Sequence, residues 1–558
     1  MKKIHKSYKY FLVLFLWTMS SCNDQFLDRP PQDAYTIDNW YQDEEQLKLA
    51  VNPLYGGVWF DYQRSFTNIG DVYAGNYTKP GDAFYVFGVN NATGGLTDAY
   101  ASLWMGVTYS SGVIENIREK AAASIPEATK NKYLGEAMVW KAMAYFYLVR
   151  GWGAVPIIES NSKLIASGEI STLYRNKKED VYEYIVRLLK KAGEILPETN
   201  ESGRINKWSA YGLLAKVYLT RSGVNGSGSR KQADLDEAKK YAGMVINNSG
   251  LQLWPEYSEL FTISKGNRNP ENLISWHWAA LPSGWGEQNA MQADLAVQQL
   301  SGVGDGWGTW SGPSVYLQSL FNEDATKTGT ANRQYTDKRR KATIIMDGDY
   351  YPELDRARVN FKNGFTMTWD GGSIFATPTG AHCRKHVVGS KEDHKAESGK
   401  DMYFMKTVLS THLLRLADIY LVYAEAILGN SASTSDAEAL QAFNTVRKRA
   451  IPNHVDYTSL TFDDIFKERR LELAMEGDNW YDYVRLYYYN PTLAKSLLSN
   501  QERGTYSGNA ATLPITLNST HYTPKDSDFE LPIPEVDILI NPNLTKEPVA
   551  YDFSKLWF

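Results

Sequence analysis

Three carboxylates recur at every fourth residue in the run Glu468-Arg469-Arg470-Leu471-Glu472-Leu473-Ala474-Met475-Glu476-Gly477. A glycoside hydrolase needs an acid and a base or nucleophile facing each other across the scissile bond, about 5–9 Å apart. Residues four apart on a helix point the same way, so these three cannot flank a sugar. Arg447, Arg449, Arg469 and Arg470 lie on the same or the adjacent helical segment, and the expectation is an internal ion-pair brace. His382-Cys383-Arg384-Lys385-His386, with His394 beyond, holds the ligand types that zinc uses. Adjacent His and Cys make poor tetrahedral geometry, and Arg384 and Lys385 bring positive charge. The expectation there is a solvated loop with a stray thiol and no metal. No Walker loop, EF-hand loop or Gly-x-Ser-x-Gly elbow occurs, so neither a catalytic residue nor a cofactor is expected.

The aromatic side chains offer a different chemistry, that of recognition. The chain carries 37 Tyr and 16 Trp against 20 Phe. Tyr and Trp combine an apolar body with a polar handle and suit half-wet binding surfaces. The axial C–H face of a sugar ring lies well on such a ring, while its hydroxyls need Asn, Asp, Gln or Arg close by. Residues 276–310 interleave both kinds: Trp285 with Glu287, Gln288 and Asn289, Trp307 with Asp305, and Trp310 with Ser311. In residues 61–98, Asp71, Tyr73 and Tyr77 stand among Asn76 and Asp82 in the same mixture. Mixed aromatic and polar lining is typical of small-ligand clefts. Trp285, Trp307, Trp310, Tyr73, Tyr77 and Asp71 are therefore the candidate ligand-binding residues. Trp104 and Trp208 fall on helical stripes and are assigned to packing. Trp276 and Trp278 alternate as in a strand, which turns one of them toward the core.

Helices must position these loops. Apolar residues at steps of three and four mark them: residues 36–54, 103–123, 134–151, 178–196, 206–220 and 235–246, then 413–428, 437–449 and 462–475. Pro53, Pro197, Gly429 and Pro452 supply stops. Residues 61–98 read as a long irregular excursion. The helices pair into hairpins of tetratricopeptide-like size, two pairs before residue 250 and two after 410. Such pairs bury their faces only by stacking. The fold class is mostly all-α, with four degenerate units packed against a loop-rich part. The division is 36–250, a loop-rich ligand-binding region 251–410, and 411–558, joined as one composite domain from 36 to 558.

Composition excludes some partners. The net charge is −5, and loss of the four lysines of a cleaved leader takes it to about −9. Nucleic acid selects a basic face instead. Residues 1–21 have a basic start, a short apolar run at 10–17 and Ser20-Ser21 before Cys22. This is a secretory signal, too short to span a bilayer. A Cys directly after small residues resembles the lipobox of bacterial lipoproteins, with Met19 where Leu is usual. That resemblance implies acylation of Cys22, palmitate included, and residues 22–35 as a tether.

Four ordered motifs carry a resemblance over nearly the whole mature chain. They are Leu414-Arg415-Leu416-Ala417-Asp418 continuing to Tyr423-Ala424-Glu425-Ala426; Asn444-Thr445-Val446-Arg447-Lys448-Arg449-Ala450; Glu468-Arg469-Arg470 through Glu476-Gly477 and Trp480-Tyr481-Asp482; and Leu531-Pro532-Ile533-Pro534 through Asn541-Pro542-Asn543-Leu544. In these the chain resembles the SusD/RagB family of outer-membrane nutrient-binding lipoproteins. It departs at Asp478-Asn479, where an Arg is common, and at Trp152, where Phe is usual. The resemblance implies four tetratricopeptide-like units, no catalysis, a surface-exposed lipid anchor in the outer membrane, and a partner SusC-like TonB-dependent transporter. The ligand it implies is an oligosaccharide or polysaccharide. A peptide ligand, as in RagB-like members, and a surface glycoside hydrolase are the alternatives.

Overall fold

The computed structural model describes residues 40–280, 286–296, 300, 307–325, 333, 336–354, 365–366, 377–509 and 512–558. Its frame is a run of long helices: α1 (Glu44–Val51), α2 (Gly94–Lys120), α3 (Glu127–Trp152), α4 (Lys178–Ile195), α5 (Lys207–Arg221) and α6 (Gln232–Asn248), then α7 (Leu416–Leu428), α8 (Ala437–Ala450), α9 (Phe462–Glu472) and α10 (Asn479–Tyr487). The local causes are readable. Asn206 caps α5 by accepting from the N–H groups of Trp208 and Ser209, and Ser209 returns the bond in a capping box. Thr461 and Asp464 do the same for α9. Every residue from Tyr133 to Trp152 is buried, so this part of α3 is covered on all sides and lies inside the frame.

Each long helix packs on the next, from α2 through to α8. The run crosses the insertion, because α6 packs on α7 although residues 249–415 separate them in sequence. Strands are short and two-stranded. Among the described residues, no helix is long and apolar enough to cross a membrane.

Several local expectations are corrected. Residues 411–415 form a strand, Thr411–Arg415, that pairs antiparallel with Asn272–Trp276, and α7 begins only at Leu416. All five strand residues are buried, and pairing on the core satisfies their backbone where a helix would turn part of that run outward. α9 stops at Glu472, short of 475. Asp71 accepts from the backbone N–H of Met475 and of Gly477, at 2.8 and 2.9 Å, and this pulls the chain into a tight turn. Met475 and Gly477 both have positive φ there. A Cβ at Gly477 would stand 2.2 Å from the Phe66 ring, so only glycine fits. Residues 61–98 are not a loose excursion either. They fold into a helix at Tyr62–Thr67 and a π-turn at Asn68–Val72, with Tyr62, Phe66, Tyr73 and Tyr77 inserted into the core.

The C-terminal segment runs back as a strap over the first helices. The N–H of Leu531 donates to the Gly151 carbonyl at 2.7 Å, and Trp152 Nε1 donates to Pro532 O at 3.0 Å. Tyr551 N donates to Asp180 Oδ2 at 2.9 Å. Trp557 lies under Arg118 of α2, 3.8 Å from guanidinium carbon to ring centre, and Phe558 packs near Tyr184 of α4.

Candidate functional site

The glutamates at 468, 472 and 476 are brace and not chemistry. Glu472 accepts from Arg415 at 2.9 Å and Arg339 at 3.2 Å, and also from Arg449. Glu468 takes Arg339 at 2.6 Å and Arg447 at 2.5 Å. Glu476 reaches Arg415 and Lys385 from the turn after α9. Burial alone would raise the Glu472 carboxyl, but Arg449, Arg415 and Arg339 outweigh it and hold it well below the usual range. Of the partners expected from sequence, Arg447 and Arg449 take part. Arg469 instead binds Asp418 and Asp482, and Arg470 turns to Asn76 and Tyr483. Arg339 and Arg415 were not legible as partners, because they arrive from a distant short helix and from a strand end.

The His-Cys run is a buried strand and turn, not a solvated loop. His382, Cys383, His386 and His394 are all buried. Strand Ala381–Cys383 pairs with Ile344–Met346, which draws the run inside. His386 Nε2 bonds the Met475 carbonyl at 2.6 Å, and His394 Nε2 accepts from Val408 N at 3.2 Å.

Three of the candidate ligand-binding residues are interior. Tyr73 stacks on Trp480 with ring centres 4.0 Å apart, Tyr77 bonds Ser311 at 2.9 Å, and Asp71 braces the 475–477 turn. None of the three has surface to offer a ligand: each is 1% exposed or less. Burial drives the Asp71 carboxyl up to about 6, against its bonds from Asn76, Gly477 and Met475. Trp276 and Trp278 are both buried, as is Trp208, while Trp104 is partly buried and packs on the core. Trp285 and Cys22 lie outside the described residues, as does the side chain of Trp307.

Trp310 closes a short 3-10 turn at Trp307–Trp310 and is 57% exposed. With Lys79, Asp82, Asp294 and Ser311 it lines a concavity of about 470 Å³. Asp294 also lines a larger cleft of about 910 Å³, so the two adjoin. At their boundary Arg64 grips Asp294 with two bonds, Nε at 3.0 Å and Nη2 at 3.2 Å. This contact, together with its charge, raises the Arg64 guanidinium. Burial lowers the Lys79 ammonium, with Asp294 and Asp82 offsetting part of it, and Lys79 donates to Asn68 Oδ1 at 2.7 Å.

The larger cleft carries Gln63, Asp61 and Asp98 beside Met105 and Phe404. Phe404 is 73% exposed and has φ +54°. An aromatic residue held at positive φ on the surface is strained, and strain of this kind clusters at binding and switch sites. Sequence reading missed Phe404. Its only signal was an aromatic in the run Asp401-Met402-Tyr403-Phe404, inside the loop-rich region. The result is two exposed aromatic platforms joined by an Arg–Asp pair and ringed by acceptors. This suits an extended chain of neutral, hydroxyl-rich rings. Asp294 itself is committed to Arg64 as an ion pair.

Comparison with known proteins places this arrangement. A profile described as "SusD family" matches residues 212–550, and one described as "Starch-binding associating with outer membrane" matches residues 84–219. A SusD-like protein of Bacteroides ovatus is 35% identical over 562 residues, spanning 96% of each chain. SusD-like protein P2 of Formosa agariphila is 24% identical over 579 residues, spanning 98% of this chain and 100% of the relative. A crystal structure solved with a xylogluco-oligosaccharide is 34% identical, with a TM-score of 0.78 over 91% of this chain and 99% of that one. A laminarin-binding SusD-like protein, 21% identical with a TM-score of 0.64 over 90% of this chain and 98% of its own, shares the fold. Profile, sequence and structure agree along the length of the molecule, and this chain belongs to the SusD family.

Proposed function

We propose that this protein is a cell-surface lipoprotein, anchored to the outer membrane through Cys22, that captures a neutral oligosaccharide or polysaccharide. It passes this glycan to a SusC-like TonB-dependent transporter and catalyses nothing itself. The observation that carries the reading is exposed Trp310 standing over a polar concavity that continues into the Phe404 cleft. The relative at 34% identity that was solved with a xylogluco-oligosaccharide supports a β-glucan type of ligand. The lipobox-like Ser20-Ser21-Cys22 supports the anchor, and the outer-membrane profile description supports the location. Affinity will be modest, because a flexible sugar loses freedom on binding and exchanges good water hydrogen bonds for protein ones.

A peptide ligand has one observation in its favour, the Met105, Met291 and Met405 wall of the larger cleft, since Met surfaces adapt to varied side chains. Calorimetry with xylogluco-oligosaccharide, laminari-oligosaccharide and a peptide panel separates the two. Binding of a glycan that Trp310→Ala weakens is the expected result. Heat with peptides alone would overturn the glycan reading, and new reducing ends from a glycan incubated with pure protein would overturn the non-enzymatic one.

A further inference from the structure

Strand Tyr77–Thr78 pairs antiparallel with Gly312–Pro313, Thr78 opposite Gly312. The chain just beyond that pair carries Lys79 on one side and Ser311 on the other, and both line the concavity with Trp310. Lys79 opens a turn that Asp82 closes, its N–H donating to Lys79 O at 3.1 Å. Pro80 and Gly81, the latter at φ +76°, fill the central positions of a type II turn. Lys79 and Asp82 therefore stand together at the base of this turn, on the wall of the concavity.

Both side chains hold unused bonding capacity. A lysine ammonium has three N–H donors. One goes to Asn68 Oδ1 at 2.7 Å, and among the described residues no carboxylate comes within ion-pair range of it. A partly buried charge without an ion pair is costly. Asp294 has both oxygens on Arg64. Asp82 accepts from Phe84 N through Oδ1 at 2.9 Å, and among the described residues its Oδ2 accepts nothing. The wall thus offers a charged donor and a charged acceptor close together, beside an exposed aromatic face. Two neighbouring hydroxyls of one sugar ring match this pair: one oxygen accepts from Lys79 while the next hydroxyl donates to Asp82. Charge-assisted bonds are the strong ones, and a site built around polar groups rejects a ligand that leaves them unpaired. An acidic ring is the poorer match, because Asp82 and Asp294, with Asp61 and Asp98 in the adjoining cleft, repel it.

We propose that Lys79 and Asp82 clamp a vicinal diol of the ring stacked on Trp310, and that this clamp sets the linkage the protein accepts. The inference rests on the glycan reading of the preceding section. Internal rings of a 1,4-linked glucan keep the hydroxyls at C2 and C3 as an adjacent pair, and branches at C6, as in a xylogluco-oligosaccharide, leave that pair untouched. In a 1,3-linked glucan the C3 oxygen belongs to the linkage, and no internal ring has two adjacent hydroxyls. The clamp therefore selects 1,4-linked chains.

The test is calorimetry on the full mature chain with xylogluco-oligosaccharide, laminari-oligosaccharide and oligogalacturonate of equal backbone length. Wild type is expected to bind the first at least fivefold more tightly than either of the others. Lys79→Met, which keeps the stem and loses the donors, should weaken xylogluco-oligosaccharide binding at least tenfold and leave laminari-oligosaccharide within twofold, so that the preference disappears. Trp310→Ala should weaken both. Asp82→Asn, which keeps the bond to Phe84 N, should act in the same direction as Lys79→Met, and it carries the test if circular dichroism shows that Lys79→Met does not fold. Equal affinity of wild type for the two neutral chains overturns this inference alone, as does a Lys79→Met or Asp82→Asn variant that loses both chains alike or neither. Tightest binding of the oligogalacturonate would mean that Lys79 reads charge and would overturn it too. No binding of either neutral chain would remove the functional reading and this inference with it.

Discussion

Replacing Glu472 with alanine tests whether the signature carboxylates hold the fold or perform chemistry. The side chain is fully buried and meets Arg339, Arg415 and Arg449. Removing one partner from a buried ionic cluster costs about 3–5 kcal/mol, because the remaining charges lose compensation. The cost stays within that range because each guanidinium keeps another carboxylate: Arg339 keeps Asp337 and Glu468, Arg415 keeps Glu271 and Glu476, and Arg449 keeps Glu271. An unfolding entropy of ~2.1 cal/mol/K per residue over about 520 residues gives ~1.1 kcal/mol/K. The melting temperature should therefore fall by ~3–5 °C at pH 7. Glu472→Gln keeps the shape and one acceptor and should lose about half as much. Scanning calorimetry reads the shift, and glycan calorimetry on the folded variant should find unchanged affinity. An unchanged melting temperature would refute the bracing argument. A variant with wild-type stability that had lost turnover of a glycan would refute the assignment of these carboxylates to structure.

Trp310→Ala and Phe404→Ala should each weaken xylogluco-oligosaccharide binding by roughly 5–30-fold, about 1–2 kcal/mol, with melting temperatures within about 1 °C of wild type; calorimetry and thermal melts read both. The melting temperature should fall as the solution is acidified below about pH 6.5. Burial lowers His277, His386 and His412 to about 4 and His382 to about 3, so the unfolded chain binds their protons first and stability drains away between about 6.5 and 4. Below about 4.5 the slope should steepen. Burial would raise Glu425 and Glu476, but Arg485 with Arg230, and Arg415 with Lys385, hold both at about 2, so their contribution is lost only as pH falls through that range. Asp71, raised to about 6, works in the opposite direction, and its single carboxyl is outnumbered by the imidazoles. A flat profile from pH 7 to 4 would contradict the burial of those four histidines. Gly477→Ala should abolish soluble expression, since its φ is +71° and its Cβ would overlap the Phe66 ring; a soluble variant with a wild-type melt would show that the turn has another conformation open to it.

Helices were the legible part of this chain, and for a simple reason. Residues such as Leu214, Tyr218 and Leu219 repeat at helical spacing whatever they pack against, so residues 178–195 and 207–221 could be read almost to the residue. The run Glu468, Glu472, Glu476 was also readable as bracing, though not all of its partners. What failed was anything decided by distant contacts. Asp71, Tyr73 and Tyr77 sit in a Gly-, Asn- and Asp-rich stretch with the composition of a surface loop, yet Trp480, Ser311 and the 475–477 turn draw them inside. His382 and Cys383 likewise become interior only because residues 344–346 pair with them. Phe404 escaped notice because exposure and a positive φ leave no trace in residue type. Trp310 was legible, since it is a large aromatic beside small polar neighbours and far from any helical stripe.

The strap formed by residues 531–558 has a consequence for biogenesis. Polypeptides emerge from synthesis in one direction, and the groups that cover Gly151, Trp152, Asp180 and Tyr184 emerge long after those residues do. Until then the first hairpins stand with an aromatic flank open to solvent, the kind of surface that invites association with other unfinished chains. The fold therefore cannot mature hairpin by hairpin in the order of its sequence, and completion waits on closure by a segment remote in time as well as in sequence. Chains cut short before that segment would be recognised by quality-control proteases as unfinished, even with every helix of the frame already made.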